Sequence, residues 1–161
     1  MNKAFPIFFS FFSLCIASVK TNAQKVGVLY GMTQLGGTGI GNLISYDPLN
    51  FNETSQVNFS GVTGYYPNGN LIQATNGPLY GMTYAGGSNH HGTLFYYDIA
   101  NGKASVLINF NTPFEASPLG SLLQVNDSML YGMTDSGGAF NEGTLFSYNI
   151  LTNKDSVLVS F

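Results

Sequence analysis

The 161-residue chain has no tryptophan and no arginine, and its one cysteine is Cys15. A single cysteine excludes an internal disulfide framework, and its position leaves everything beyond it without thiol chemistry. Charged residues make up only 8% of the chain, against roughly 25% in ordinary soluble domains. Beyond the leader described next, Lys25, Lys103 and Lys154 face eight carboxylates, a net charge of about −5. Nucleic-acid binding needs clustered cations to neutralise phosphates, so this composition excludes a nucleic-acid partner. No stretch beyond residue 23 shows helical periodicity over more than about ten residues. What is abundant is uncharged: 20 Gly, 13 Phe and 10 Tyr, with a polar surface left to Asn, Ser, Thr and backbone.

Residues 1–23 read as a secretory signal peptide. Lys3 supplies the positive start, residues 5–19 form a Phe-rich apolar run, and Thr21 and Ala23 are small residues at the −3 and −1 positions. Gln24 is then the first mature residue. The run is broken by Pro6 and three serines and is shorter than the roughly 20 residues of a membrane span. Leu14, directly before Cys15, is too bulky to fit a lipid-attachment signal. The mature chain is expected to be exported and to hold no membrane span.

The mature chain repeats. Leu29-Tyr30-Gly31-Met32-Thr33 recurs as Leu79-Tyr80-Gly81-Met82-Thr83 and as Leu130-Tyr131-Gly132-Met133-Thr134. A Gly-Gly pair follows each copy: Gly36-Gly37, Gly86-Gly87 and Gly137-Gly138. Tyr80 to Tyr131, Pro67 to Pro118 and Phe59 to Phe110 to Phe161 are all 51 residues apart, which divides the chain into units of about 24–59, 60–110 and 111–161. Periods of this size are the mark of repeat architectures.

In the middle unit, 59–68 is expected to be a loop and 69–75 a first strand. Asn76-Gly77-Pro78 is turn chemistry, 79–84 a second strand, and 93–98 a third rich in β-formers. Asn101-Gly102 makes another tight turn, and 104–110 is the fourth strand. The third unit repeats the pattern over 120–125, 130–134, 144–148 and 156–161, whereas the first begins at its second strand. Four short strands per unit make an antiparallel meander. Strands such as Leu94-Phe95-Tyr96-Tyr97 offer apolar groups to both faces, unlike the alternating strands of a sheet with one wet face. Sheets buried on both faces suit radial stacking, so the fold class expected is all-β, with β-propeller-like blades in an incomplete array. Propellers close with about 4–8 blades, and the chain therefore reads as part of a longer one.

The Leu-Tyr-Gly-Met-Thr strand, the Gly-Gly pair, Gly-Thr-Leu-Phe, and the Tyr-Asp or Tyr-Asn that follows make one pattern. With the apolar strand ending in Phe and the Pro-x-Gly-x-Leu after it, the pattern resembles the GloVer (Gloeo-Verruco) tandem repeat of secreted bacterial "choice-of-anchor" proteins. The likeness covers 26–161. It implies an exported bacterial protein, extracellular or at the cell surface, of a kind often tethered by a C-terminal sorting or anchoring segment. The Gly-Gly pair with its Tyr-Asp strand is also similar, more weakly, to kelch repeats, which carry a tryptophan that this chain lacks.

In a meander, alternate connections emerge on the same edge. The long loop before each first strand and the Gly-Gly loop should therefore share one edge, and variable loops on a rigid scaffold are where binding concentrates. The binding candidates on that edge are Tyr65, Tyr66, His90, His91, Asn141 and Glu142. His90-His91 is the only histidine pair, but the third unit holds Asn141-Glu142 in its place, which favours a solvated loop over a metal site. Gly36-Gly37-Thr38-Gly39 has no following Lys-Ser/Thr, so it is not a phosphate loop. Asp98 and Asn149 are expected to shape turns. Gly81 is expected to let a neighbouring blade approach. No pattern implies a cofactor, a metal or a catalytic residue. The reading is a secreted, non-catalytic module for binding or scaffolding of an extracellular glycan or protein. Its other partners are the remaining blades of a longer chain or further copies of itself, and an N-terminal strand could complete the last blade. The alternative is a propeller-type glycosidase or lyase using acids such as Asp135 and Glu142.

Overall fold

A computed structural model of the chain describes residues 15–18, 27–111 and 116–161. The expected cleavage point after Ala23 lies outside the described residues. Thirteen strands are present among those described, and no helix. They form three antiparallel sheets, none closed into a barrel. The first holds β1 (Cys15–Ser18), β2 (Leu29–Thr33), β3 (Asn42–Asp47) and β4 (Asn52–Asn58). The middle sheet holds β5 (Tyr65–Gln73), β6 (Leu79–Ala85), β7 (Thr93–Asp98) and β8 (Lys103–Asn109). The third holds β9 (Ala116–Pro118), β10 (Leu123–Gln124), β11 (Met129–Ser136), β12 (Thr144–Asn149) and β13 (Lys154–Ser160).

The meander expected from the repeat is the observed topology, with three differences. First, β5 starts at Tyr65, inside the stretch expected to be loop. Tyr65 pairs with Ala85 and Pro67 with Thr83, and the register then slips between Asn68 and Ile72. Second, the same first strand is split in two in the third sheet, where β9 and β10 pair with opposite ends of β11. The slip and the split occupy the same place in the repeat. Third, the first sheet has a first strand of its own. Ile16 pairs with Gly31 and Ala17 with Tyr30, so part of the apolar run read as leader lies on the edge of β2. Loss of the leader after Ala23 would remove β1 and leave β2 as that edge. An apolar, β-compatible run satisfies the composition of a leader and of a strand alike. In this structure β2 lies between β1 and β3 in the first sheet.

The sheets stack face to face, and each face has its own cast of residues. Met32, Leu43, Phe59, Leu71, Leu79, Phe95 and Tyr97 form one buried cluster, between the first and middle sheets. A second, between the middle and third sheets, includes Tyr80, Met82, Leu94, Ile108, Phe110, Leu130, Phe146 and Tyr148. The middle sheet is thus apolar on both faces, as its strands require. Phe59 meets Phe95 edge-on at 5.0 Å between ring centroids, and Phe110 meets Phe146 in the same way at 5.2 Å. Gly81 makes this possible from within its own sheet: a Cβ there would lie 2.7 Å from the Phe95 ring and 3.0 Å from Leu71. Gly132 leaves the same space for Phe146. The glycine therefore seats a ring from the adjacent strand, rather than admitting the next sheet as expected.

The middle and third sheets come close where β5 passes the bend between β9 and β10. A Cβ on Gly69 would fall 1.6 Å from the Gly120 carbonyl oxygen, and the Asn70 N–H donates to the Ser121 hydroxyl at 2.9 Å. Gly69 also has φ +76, which side chains other than glycine's rarely adopt. Gly69→Ala is expected to destabilise the fold by about 2 kcal/mol or more, because backbone strain and a backbone clash coincide. Gly61→Ala, with open space and an ordinary φ, should be near neutral. Denaturant midpoints of the two variants check the contrast, and equal midpoints would refute it.

Candidate functional site

The long loop and the Gly-Gly loop do share an edge. The Gly87 N–H donates to the Gly61 carbonyl at 2.8 Å, and the Thr93 hydroxyl to the Thr63 carbonyl at 3.1 Å. Beneath the Gly-Gly loop lies a buried pair of hydroxyls. Thr83 and Thr93 are 2.9 Å apart through their Oγ1 atoms, and the Thr93 N–H donates to Thr83 Oγ1. Thr134 and Thr144 repeat this pair at 2.9 Å, and in the first sheet Thr33 Oγ1 donates to Asn42 Oδ1. The final threonine of each Leu-Tyr-Gly-Met-Thr thus anchors the loop that follows. The repeated motif builds a rigid platform and leaves variation to the loop tip.

At that tip, Gly39, His90 and Asn141 occupy one position of the repeat, all with positive φ. Each N–H closes the same short turn back to Gly36, Gly87 or Gly138. His90 and Asn141 are exposed, and the Asn141 side chain accepts from the Gly137 N–H at 3.1 Å, so its oxygen serves its own loop. Glu142 is exposed beside it. His91 is half-buried, and its carbonyl accepts from the Ser117 N–H of the next sheet at 2.8 Å. Tyr66 makes the matching link from its N–H to the Ile40 carbonyl of the previous sheet, in a left-handed conformation shared with Ser117. Tyr65 and Tyr66 lie edge-to-face at 5.2 Å, both half-buried. The six candidates therefore lie on one edge in three groups: Tyr65 with Tyr66, His90 with His91, and Asn141 with Glu142. Among the described residues no three His, Cys, Asp or Glu are grouped so as to hold a metal ion.

The opposite edge holds the hairpin turns. Asp98 accepts from the Ala100 N–H at 2.9 Å and from the Asn101 side chain, and Asp47 and Asn149 make equivalent bonds in their sheets. These amides hold the Asp47 and Asp98 carboxyls below the usual range, the side-chain amides of Asn50 and Asn101 contributing most. Both residues are turn-formers, as their place before Asn-Gly or Leu-Asn predicts.

Between the middle and third sheets, this second edge opens into a cleft of about 450 Å³. It is lined by Asn76, Pro78, Tyr80, Tyr96, Val106, Leu107, Tyr148 and Asn153. Asn76 donates its side-chain N–H to the Tyr80 hydroxyl at 3.1 Å, and the Tyr148 hydroxyl donates to Asn153 Oδ1 at 2.9 Å. A second cleft of about 410 Å³ runs past Gln73, Gly77, Asp98 and Ile99. Sequence reasoning placed its candidates on the loop edge and missed these clefts. The available signal was the loss of the repeat at Tyr96, Val106 and Leu107, whose counterparts 51 residues earlier are Ser45, Ser55 and Gln56.

Three stacked four-position meanders with a shared loop edge define an all-β tandem-repeat protein. Its sequence matches the Gloeobacter/Verrucomicrobia repeat over residues 15–161, and the chain belongs to that repeat family. The match begins at β1. No curated protein matches the chain. The fold is similar to a crystal structure described as the extracellular domain of a hybrid two-component system, BT4673, from B. thetaiotaomicron. The TM-score is 0.57 at 17% identity, over 83% of this chain and 16% of that one. The chain thus spans about one sixth of the length of that structure. Among the described residues, no helix is long and apolar enough to cross a membrane.

Burial pushes the Tyr148 hydroxyl up to about 12, and Tyr80, Asp155 and Tyr96 add in the same direction. Burial raises Tyr97 and Tyr30 too. A raised folded-state value means that the unfolded chain releases the proton first. The stabilisation is complete below about pH 10 and is lost as pH rises from there through about 12. Urea midpoints should therefore stay level in this respect up to about pH 10 and fall above it. Tyr148→Phe should make that alkaline fall shallower; an unchanged fall would contradict the assignment.

Proposed function

We propose that the chain is a blade-forming part of an exported, β-propeller-like array, acting as a non-catalytic recognition or scaffolding module outside the bacterial cell. The carrying observation is a mismatch in burial between equivalent positions. Met133, Val159 and Phe161 are 49%, 42% and 45% exposed, whereas Met82, Ile108 and Phe110, 51 residues earlier, are 1%, 8% and 0% exposed. In the middle sheet this face packs on Leu130, Phe146 and Tyr148 of the next sheet. The third sheet presents the same face without a cover. Contiguous apolar surface of this kind marks a contact waiting to be made. A further blade of the same repeat fits it, supplied by a longer chain or by another copy. The resemblance to an extracellular domain and the leader-like N terminus support a location outside the cell. Recognition of a glycan or protein is assigned to the loop edge because a hydrogen-bonded threonine anchors each loop while the tips vary.

Two measurements test this reading. Expressed alone, the chain should sediment as more than a monomer, and Met133→Lys with Val159→Lys should shift it towards monomer; a monomeric parent chain would contradict the uncovered-face argument. In a screen of polysaccharides and surface proteins, binding should weaken on Tyr65→Ala with His90→Asn. Polysaccharide turnover abolished by Asp135→Asn or Glu142→Gln would instead establish a carbohydrate-active enzyme.

A further inference from the structure

The two interfaces between sheets are built from equivalent positions, so each is a control for the other. Between the first and middle sheets, Gln56 fills the turn-edge end of the seam. Its side-chain N–H donates to the Ser45 hydroxyl at 2.8 Å, and its Oε1 accepts from the Tyr97 hydroxyl at 2.6 Å. One repeat later these positions are Leu107, Tyr96 and Tyr148. Leu107 has no amide with which to bridge the seam. The Tyr148 hydroxyl turns to Asn153 of its own hairpin, and the seam opens as the larger cleft. Where a hydrogen-bonded glutamine bridges one interface, a leucine that makes no bridge lines an open cleft in the next.

We propose that this cleft, on the edge opposite the variable loops, binds a short stretch of an uncharged sugar chain. A sugar ring has an apolar C–H face and a rim of hydroxyls, and the cleft offers a partner for each. The half-buried Tyr96 ring, Pro78, Val106 and Leu107 form an apolar wall. The deeply set Tyr80 and Tyr148 bring their hydroxyls to its base, with the Asn76 and Asn153 amides beside them. Amides both donate and accept, so each can engage adjacent sugar hydroxyls. The volume falls in the range of about 300–1,000 Å³ usual for small-ligand clefts. Charge selects the class. No lysine lines the cleft, Asp155 lies close enough to act on Tyr148, and the chain has no arginine to pair with an acidic sugar. A uronic-acid or sulfated chain would find no cation to pair with, and the Asp155 carboxylate nearby would oppose it.

The test uses the full chain and neutral oligosaccharides of β-linked glucose, xylose and N-acetylglucosamine, with oligogalacturonate as the acidic control. Isothermal titration calorimetry reads the binding. The diagnostic variant, Tyr96→Ser with Leu107→Gln, installs the residues found at the closed interface, which already fold in this chain. At least one neutral oligosaccharide should bind, with no competition from the acidic one. The double variant should weaken binding at least about tenfold, and Asn76→Ala should weaken it in the same direction. Val62→Ala, an exposed substitution in the long loop of the opposite edge, should leave it unchanged. No binding of any neutral oligosaccharide, or affinity within about twofold in both the double variant and Asn76→Ala, would overturn the proposal. Loss of sugar binding in Tyr65→Ala with His90→Asn, with the cleft double variant still binding within about twofold, would overturn it while upholding recognition at the loops.

Discussion

The structure depends on one contact made twice: a phenylalanine that ends one unit, set edge-on against a phenylalanine in the third strand of the next. Phe59 against Phe95 and Phe110 against Phe146 hold successive sheets in register at the centre of each core. Such pairs add about 0.5–1.5 kcal/mol beyond the area they bury. Their placement matters more than that increment. The ring of Phe95 or Phe146 lies over a glycine of the adjacent strand, where any side chain would expel it. The glycine of the second and third copies of the motif follows from this geometry. Leucine and tyrosine supply the two faces, glycine seats the ring, methionine fills the opposite face, and threonine ties down the loop.

This arrangement makes each sheet dependent on its neighbours. A four-stranded meander of this length cannot bury two apolar faces alone, and stability in such arrays is a sum of unit and interface terms. The middle sheet has both interfaces. The first and third have one each among the described residues, and the third shows its free face openly in Met133, Val159 and Phe161. Specialisation has room where stacking is indifferent to side-chain identity. The loop tips vary above a fixed threonine platform, and the turn-edge end of each seam is either bridged by Gln56 or left open by Leu107.

Much of this was legible in the residues, for reasons that can be named. The 51-residue period, the turn chemistry at Asn76-Gly77-Pro78 and the two-faced apolar strands give the meanders and their stacking. The shared edge of the long and Gly-Gly loops follows from meander topology alone. Other features were not legible. Tyr65 and Tyr66 looked like loop because Gly64 and Pro67 flank them, yet Pro67 is tolerated on a first strand that needs no outward N–H. The break between β9 and β10 falls where the Gly120 backbone approaches Gly69, a long-range contact that the sequence pattern does not reveal. The strand at Cys15–Ser18 was hidden because a run of apolar residues serves equally as leader and as strand. The cleft is an absence, and it shows only when one unit is compared with the next.

Amide hydrogen exchange, resolved by strand, tests the central claim that stacking between sheets rather than pairing within them carries the stability. In the monomeric Met133→Lys, Val159→Lys variant, whose third sheet no second copy covers, strands β6 and β7 should be the most protected, and β12 should exchange faster although its pairing is equivalent. Equal protection of β7 and β12, or greater protection in the third sheet, would contradict the account.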